Sequence, residues 1–341
     1  MNSPANVNAE PVTVIEITDP SKANAVIELV DLDAVQLQPG FLRARRVVVR
    51  AGAATVMFHS SNLRLRTRTS IAEGLVGYVV FGPRSTGTIN GIAVRPGLML
   101  TAGLGAEAGF VVDPGWESIT FLLPAQDLQA HLASRQCAGV FPPPMEIALL
   151  SAEPAVADNL FAWGKRLAET AAAQPANFNG GDAELVALQV EIYENLLAGI
   201  GTARVFEPSR SDRTRQRRNR IVKLAEEHAL AWNGTNLYVT DLCRIAGVSQ
   251  RALEYAFKEV MGLTPVAFVM KLRLHRVRQA LVAATPGSTT VAAEALRWGF
   301  WHFGEFARAY SECFGELPSQ TLARNRDCAE GYNKPHQISG S

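Results

Sequence analysis

Cysteine is scarce in this 341-residue chain: Cys137, Cys243, Cys313 and Cys328 lie far apart, and no two form a C-x-x-C pair. That spacing argues against a structural zinc site or a disulfide framework and fits a reducing cytoplasm. No run of eighteen apolar residues occurs, so no membrane-spanning helix is expected. The start, Met1-Asn2-Ser3-Pro4, lacks the basic stretch and apolar segment of a secretory signal. Catalytic motifs are missing too. There is no Gly-x-Ser-x-Gly elbow, no phosphate loop ending in Lys-Ser/Thr and no GxGxxG behind a strand. His59 is the one histidine among the short apolar runs of residues 26–123, and a metal enzyme needs several imidazole and carboxylate ligands converging. A lone strand histidine is more often structural than a ligand. Neither metal nor cofactor is expected, and the chain is not read as an enzyme.

A large charge excess is also absent, with Lys+Arg 33 against Asp+Glu 32, but the charges are segregated. Residues 1–204 hold 14 Lys/Arg against 19 Asp/Glu; residues 205–326 hold 18 against 11. A basic C-terminal third behind an acidic front suggests a nucleic-acid module fused to something else. Residues 1–12 read as a loose N-terminus. Short apolar runs follow, such as Arg46-Val-Val-Val-Arg50, Thr55-Val-Met-Phe58 and Leu75 to Phe81, broken by turns at Asn90-Gly91 and Pro114-Gly115. They predict an all-β barrel or sandwich within residues 13–145, closed by a short helix from Pro124 that ends before Phe141-Pro-Pro-Pro144. Residues 151–201 predict a helical hairpin. Its second helix carries Leu188, Ile192 and Leu196 as a stripe that either packs inside the molecule or joins two subunits. Residues 209–220 carry six arginines, suited to a solvated helix start or to phosphate contact.

Two helix-turn-helix patterns occur, at residues 237–262 and 290–315. In the first, Val239 to Ala246 predicts a short helix, Gly247 a left-handed turn and Ser249 the cap of a second helix. Leu253 and Phe257 fall on its buried face, leaving Gln250, Arg251, Glu254, Tyr255 and Lys258 outward, as a recognition helix requires. The second unit repeats this with Val291 to Trp298, Gly299-Phe300 and a helix from about His302 to Phe314. Each ends on Gly-x-x-Pro, Gly262-Leu-Thr-Pro265 and Gly315-Glu-Leu-Pro318, and a helix from Pro265 to about Leu281 joins them.

Val248-Ser-Gln-Arg-Ala-Leu253, Gly262-Leu-Thr-Pro265 and Trp298-Gly-Phe-Trp-His-Phe-Gly-Glu-Phe-Ala-Arg308 resemble the DNA-binding domain of AraC/XylS-family regulators. The Trp-Gly-Phe-Trp-His variant is similar to the branch containing the ethanolamine-operon regulator. The front half resembles that group's cupin-like sensor. Two departures stand out: Glu294 where the family has Ile or Val, and Tyr238 in place of a Ser/Thr cap. The resemblance implies a multidomain β-plus-α protein: a cupin-like β-barrel (13–145), a hairpin supporting dimerisation (151–201), an all-α double helix-turn-helix domain (213–325) and a tail (326–341). It implies a cytoplasmic transcription regulator, an activator or a repressor, as a homodimer on double-stranded promoter DNA, with RNA polymerase as a further partner. Base-reading positions fall on Gln250, Arg251, Glu254 and Tyr255, and on Trp301, His302, Glu305 and Arg308. Arg reads guanine bidentately, Gln reads adenine, and Glu accepts from cytosine, whereas Trp301 also suits packing. Lys258 and Arg276 suit backbone contact.

Arg64, Arg66 and Arg68 alternate along a strand, Arg46 and Arg50 repeat the R-x-x-x-R spacing, and Ser70 follows. Guanidinium groups bind phosphate bidentately and stack on guanine. The spacing resembles the way PilZ-type receptors hold cyclic-di-GMP, and some cupin-containing AraC-like regulators answer to it. The expected effector is therefore anionic, with cyclic-di-GMP the candidate. A solvated edge strand, with a neutral amine or sugar as effector, is the alternative, and a cupin-type enzyme the lesser one.

Overall fold

The computed structural model describes residues 10–20, 30–103, 106–135, 146–232, 237–285 and 287–331, with the backbone alone for 31–33, 182 and 325–331. The expected Phe141–Pro144 stop and Cys137 lie outside the described residues. Two units result, residues 1–34 with 42–217 and residues 35–41 with 218–341.

The first unit is built on two antiparallel sheets. The larger holds β1 (Val12–Ile17), β3 (Ala44–Ala51), β4 (Ala54–Ser61), β6 (Leu75–Phe81), β9 (Leu98–Ala102), β11 (Trp116–Pro124), β12 (Ala148–Ser151) and β13 (Arg204–Val205). Its order is β1-β3-β4-β11-β6-β9-β12-β13. The smaller holds β2 (Val30–Gln36), β5 (Leu65–Ile71), β7 (Gly87–Ile89), β8 (Ile92–Ala93) and β10 (Glu107–Val112), in the order β2-β5-β10-β7-β8. Among the described residues no ladder joins the sheets, so the expected closed cupin-like barrel gives way to an open two-sheet arrangement. Asn90 (φ 48°) and Gly91 (φ 85°) supply the two left-handed residues that the β7–β8 hairpin requires.

Helices α1 (Ala125–Ser134), α2 (Pro154–Ala173) and α3 (Asp182–Ile200) complete this unit. Val47, Val49, Phe58, Ile119 and Phe121 face α2 and α3 in one core, while the alternate positions of the same strands face the smaller sheet. A sheet covered on both faces reads as a continuous apolar run, which is why Val47-Val48-Val49 does not alternate. Gly164 lets α2 approach closely, since a Cβ there would stand 2.8 Å from Ile119. The Leu188–Ile192–Leu196 stripe is spent inside this core, with Ile192 and Leu196 fully buried. Of the two readings of that stripe, the intramolecular one describes what it contacts.

Helix α4 (Arg210–Ala231) contains the boundary between the units. Ser209 and Asp212 cap its start reciprocally, through Asp212 N–H to Ser209 Oγ (3.2 Å) and Ser209 N–H to Asp212 Oδ2 (3.0 Å).

The second unit contains α5 (Val239–Ala246), α6 (Gln250–Met261), α7 (Pro265–Ala283), α8 (Val291–Arg297), α9 (Phe303–Phe314) and α10 (Pro318–Gly331). Gly262 and Gly315 end α6 and α9 in the left-handed conformation. Residues 35–41 belong here, although the sequence placed all of 13–145 in the sensor. Gln36 is buried, its backbone N–H donating to His275 Nε2 (3.0 Å) and its amide NH2 to the Cys313 carbonyl (2.6 Å). No sequence pattern announces a pairing across 239 residues.

Candidate nucleic-acid interface and ligand cavity

In the first helix-turn-helix, Gly247 takes φ 66° between α5 and α6, and Ser249 Oγ accepts from Ala252 N–H (3.3 Å), capping α6. Leu253, Ala256 and Phe257 are buried on α6. That leaves Gln250, Arg251, Glu254, Tyr255 and Lys258 exposed on one helix. Gln250 Nε2 donates to Glu254 Oε1 (2.9 Å), which pre-sets both amide and carboxylate. The Arg218 guanidinium lies 4.5 Å from the Tyr255 ring centroid and also pairs with Glu259, so an arginine of the charged link braces the helix. Tyr238 heads α5, but the cap comes from Asp241, whose Oδ2 accepts from the Tyr238 N–H (3.2 Å).

The second unit is closed by rings. Phe306, Tyr310 and Phe314 of α9 are buried and pack edge to face in succession, with centroids 5.7 and 4.7 Å apart. His302, Glu305 and Arg308 stay exposed, and so do the indole of Trp301 (68%) and the ring of Phe303 (46%). Glu294 is buried on α8, where Thr289 Oγ1 donates to its Oε1 (2.8 Å) and Arg297 stands 3.9 Å away. Behind α9, Arg278 donates to Glu316 Oε1 (2.8 Å), as does Thr321 Oγ1 (2.8 Å), and Arg324 pairs with the other oxygen. Burial pushes the Glu316 carboxyl up, but the Thr321 hydroxyl and the charges of Arg278 and Arg324 outweigh it, so its pKa lies below the ordinary value. Arg276, expected at the phosphate backbone, donates through Nη2 to the Leu230 carbonyl near the end of α4 (2.9 Å).

A cavity of about 90 Å³ lies between the two sheets of the first unit. Among the expected effector residues Arg46 lines it; the others point elsewhere. Thr67, Thr69 and Ile71 turn from β5 into the cavity, so Arg66, Arg68 and Ser70 occupy the opposite face. Arg64 precedes β5 and pairs with Asp113 (3.4 Å), while Arg50 donates to the Glu10 carbonyl (2.8 Å) and Thr13 Oγ1 (3.0 Å). His59 and Ser118, which the sequence did not single out as ligand-binding, line the cavity with Arg46. Strand register sets them in one row: Arg46 pairs with His59, and His59 with Ser118. Burial, aided by the Arg46 charge, pulls His59 down to about 3, so the imidazole is neutral. Burial also lowers Arg46 to about 10, which leaves it charged at neutral pH. No described group of three or more His, Cys, Asp or Glu could hold a metal ion.

Residues 242–324 match the family described as a helix-turn-helix domain. The chain is 38% identical over 102 residues to the probable thc operon regulatory protein of Rhodococcus erythropolis, covering 30% of this chain and 31% of that protein. It is 33% identical over 107 residues to XylDLEGF operon transcriptional activator 2 of Pseudomonas putida, covering 31% of this chain and 66% of that one. A solved structure of a probable AraC family transcriptional regulator from Rhodopseudomonas palustris shares 39% identity, covering 31% of this chain and 97% of that one, at a TM-score of 0.29. The C-terminal unit is a helix-turn-helix DNA-binding domain. More particularly, it is one of the AraC/XylS type. The chain spans under a third of the Rhodococcus protein, and that likeness covers under a third of this chain.

Proposed function

We propose that the protein is a sequence-specific transcription regulator whose first unit binds a small effector and thereby alters promoter binding. The observation that carries it is the pair of helices α6 and α9, each ended by a left-handed glycine and each with a buried apolar face and an exposed row of mostly polar side chains. Relatives named as operon activators support activation; RNA polymerase as a further partner is part of the proposal. Effector binding is supported by the cavity between the sheets, and its coupling to DNA by chain continuity. Strand β2 begins at Val30 on the cavity wall and ends at Gln36, clasped by His275 and Cys313. Coupling requires that the effector favour one DNA-binding state over the other. A cavity of about 90 Å³ favours a small molecule over cyclic-di-GMP, whose two bases would need the arginines that face away from it. Self-association is part of the proposal. With the inner stripe of α3 occupied, its exposed Val186 and Val190 are the available apolar positions. Anisotropy titration of the full chain on duplex DNA, selected from a random pool and run at two salt concentrations, tests the reading. Saturable binding with competition ratios above a scrambled duplex supports it; equal affinity for both duplexes overturns it.

A further inference from the structure

Helix α9 starts in a way that its own folding does not ask for. Elsewhere in this unit a hydroxyl caps the helix: Ser249 on α6, Thr264 on α7 and Thr290 on α8, each accepting a backbone N–H. At α9 the cap position holds His302, whose side chain makes no capping bond. Five consecutive residues, Trp301 to Glu305, are exposed, two of them large aromatics. The core behind α9 is filled by Phe300, Phe306, Tyr310 and Phe314, and neither Trp301 nor Phe303 joins it. Gly304 follows within the first turn. Its backbone is helical, where glycine is weaker than alanine, yet an added Cβ would meet no atom within 4 Å. Neither a turn nor packing calls for glycine here. It stands four residues before the exposed Arg308, on the same helix face.

We infer that the second helix-turn-helix reads thymine through its 5-methyl group, with Trp301 and Phe303 as the apolar contacts and Gly304 letting the helix start approach the base edges. This rests on the regulator reading above. The thymine methyl is the one apolar group that a base presents in the major groove, so exposed rings on a groove-facing helix find their partner there. His302, Glu305 and Arg308 share the helix start and first turns with those rings, and their polar groups suit base edges and phosphates. That setting separates the patch from a purely apolar docking face for protein. The first unit differs: at its helix start Ser249 is spent on the cap, and Gln250 and Arg251 are polar. The two halves of an operator are thus read by unlike chemistry, hydrogen bonds from α6 and added apolar contact from α9.

Anisotropy titration of the full chain tests this on the duplex selected from a random pool, with each thymine in turn replaced by uracil. Uracil keeps every hydrogen-bonding group of thymine and lacks only the methyl. In the block whose specificity Arg308→Ala relaxes, at least one replacement is expected to weaken binding about fourfold, the worth of one buried methyl-sized group. Trp301→Ala with Phe303→Ala is expected to weaken binding to the thymine duplex and to bind the uracil duplex equally well. Gly304→Ala is expected to keep or raise the unfolding midpoint while weakening specific binding. A selected duplex bound specifically yet insensitive to uracil at every position overturns the inference and leaves the regulator reading standing, as does a block without thymine. Uracil sensitivity retained in the double variant also overturns it, since other residues would then read the methyl. Should that variant lose its far-ultraviolet dichroism, the uracil series on wild type decides together with Gly304→Ala. Equal affinity of wild type for selected and scrambled duplexes fails the regulator reading itself.

Discussion

Replacing Glu316 with Ala removes the carboxylate on which the second helix-turn-helix converges. Arg278 and Glu316 are buried, their side chains 4% and 8% exposed, and Thr321 and Arg324 add to the same carboxylate. Deleting one partner of a buried pair costs about 3–5 kcal/mol, because the remaining charge keeps its desolvation penalty without its counter-ion. Arg278 also lies 4.6 Å from the Phe314 ring centroid, which retains part of its stabilisation, so a value near the lower end, about 3 kcal/mol, is expected. That is about a hundredfold or more in the opening equilibrium. Native-state hydrogen exchange of α7 and α10 amides in the full chain reads this unit separately from the sheets. Arg278→Met with Glu316→Leu should recover at least half of the loss, since apolar replacement of a whole buried pair is often neutral. Acid gives a second signature. The folded carboxyl lies below its ordinary value of 4.5, so its contribution is present above that pH and is lost as pH falls through the folded value. Protection of α7 should therefore decline below about pH 4.5 in wild type, with the Glu316 share of that decline absent from the variant. A loss under about 1 kcal/mol, or a double variant no better than the single, refutes the reasoning.

Gln36→Ala strips a buried donor from the Cys313 carbonyl and should lower exchange protection of the α9 end by about 1–3 kcal/mol, leaving the β-sheet amides unchanged. Ile192→Asp buries a carboxylate in the core of the first unit and should unfold the sheets by dichroism; a folded protein that merely changes sedimentation would contradict this packing. Arg276→Ala should destabilise the α4–α7 contact as well as weaken DNA binding; an unchanged unfolding midpoint would return Arg276 to phosphate contact alone.

Local signals were the legible ones. Ser249, Gly247, Gly262 and Gly315 announced the caps and turns of the DNA-binding unit, because left-handed and cap positions restrict residue type. Leu253 and Phe257, one helical turn apart, gave the inward face of α6 and hence its outward face. Strand positions followed the apolar runs, yet their grouping into two sheets did not. Register was the missing quantity. Alternation put Arg64, Arg66 and Arg68 on one side but not on which side, and a one-residue difference decides between cavity and opposite face. The same gap hid His59, a lone histidine until pairing sets it between Arg46 and Ser118. Exposure of Trp301 ran against its apolar character, since the rings of Phe306, Tyr310 and Phe314 already fill the space behind α9.

The central claim is that α6 and α9 read base sequence. Selection from random double-stranded DNA by the full chain, run in parallel with Arg251→Ala/Arg308→Ala, tests it most directly. Wild type should enrich a motif with two specified blocks about one helical turn apart. The variant should lose guanine preference in both, each replacement costing about 1–3 kcal/mol at the specific site. The same motif enriched with equal strength by both proteins would contradict the assignment of these helices.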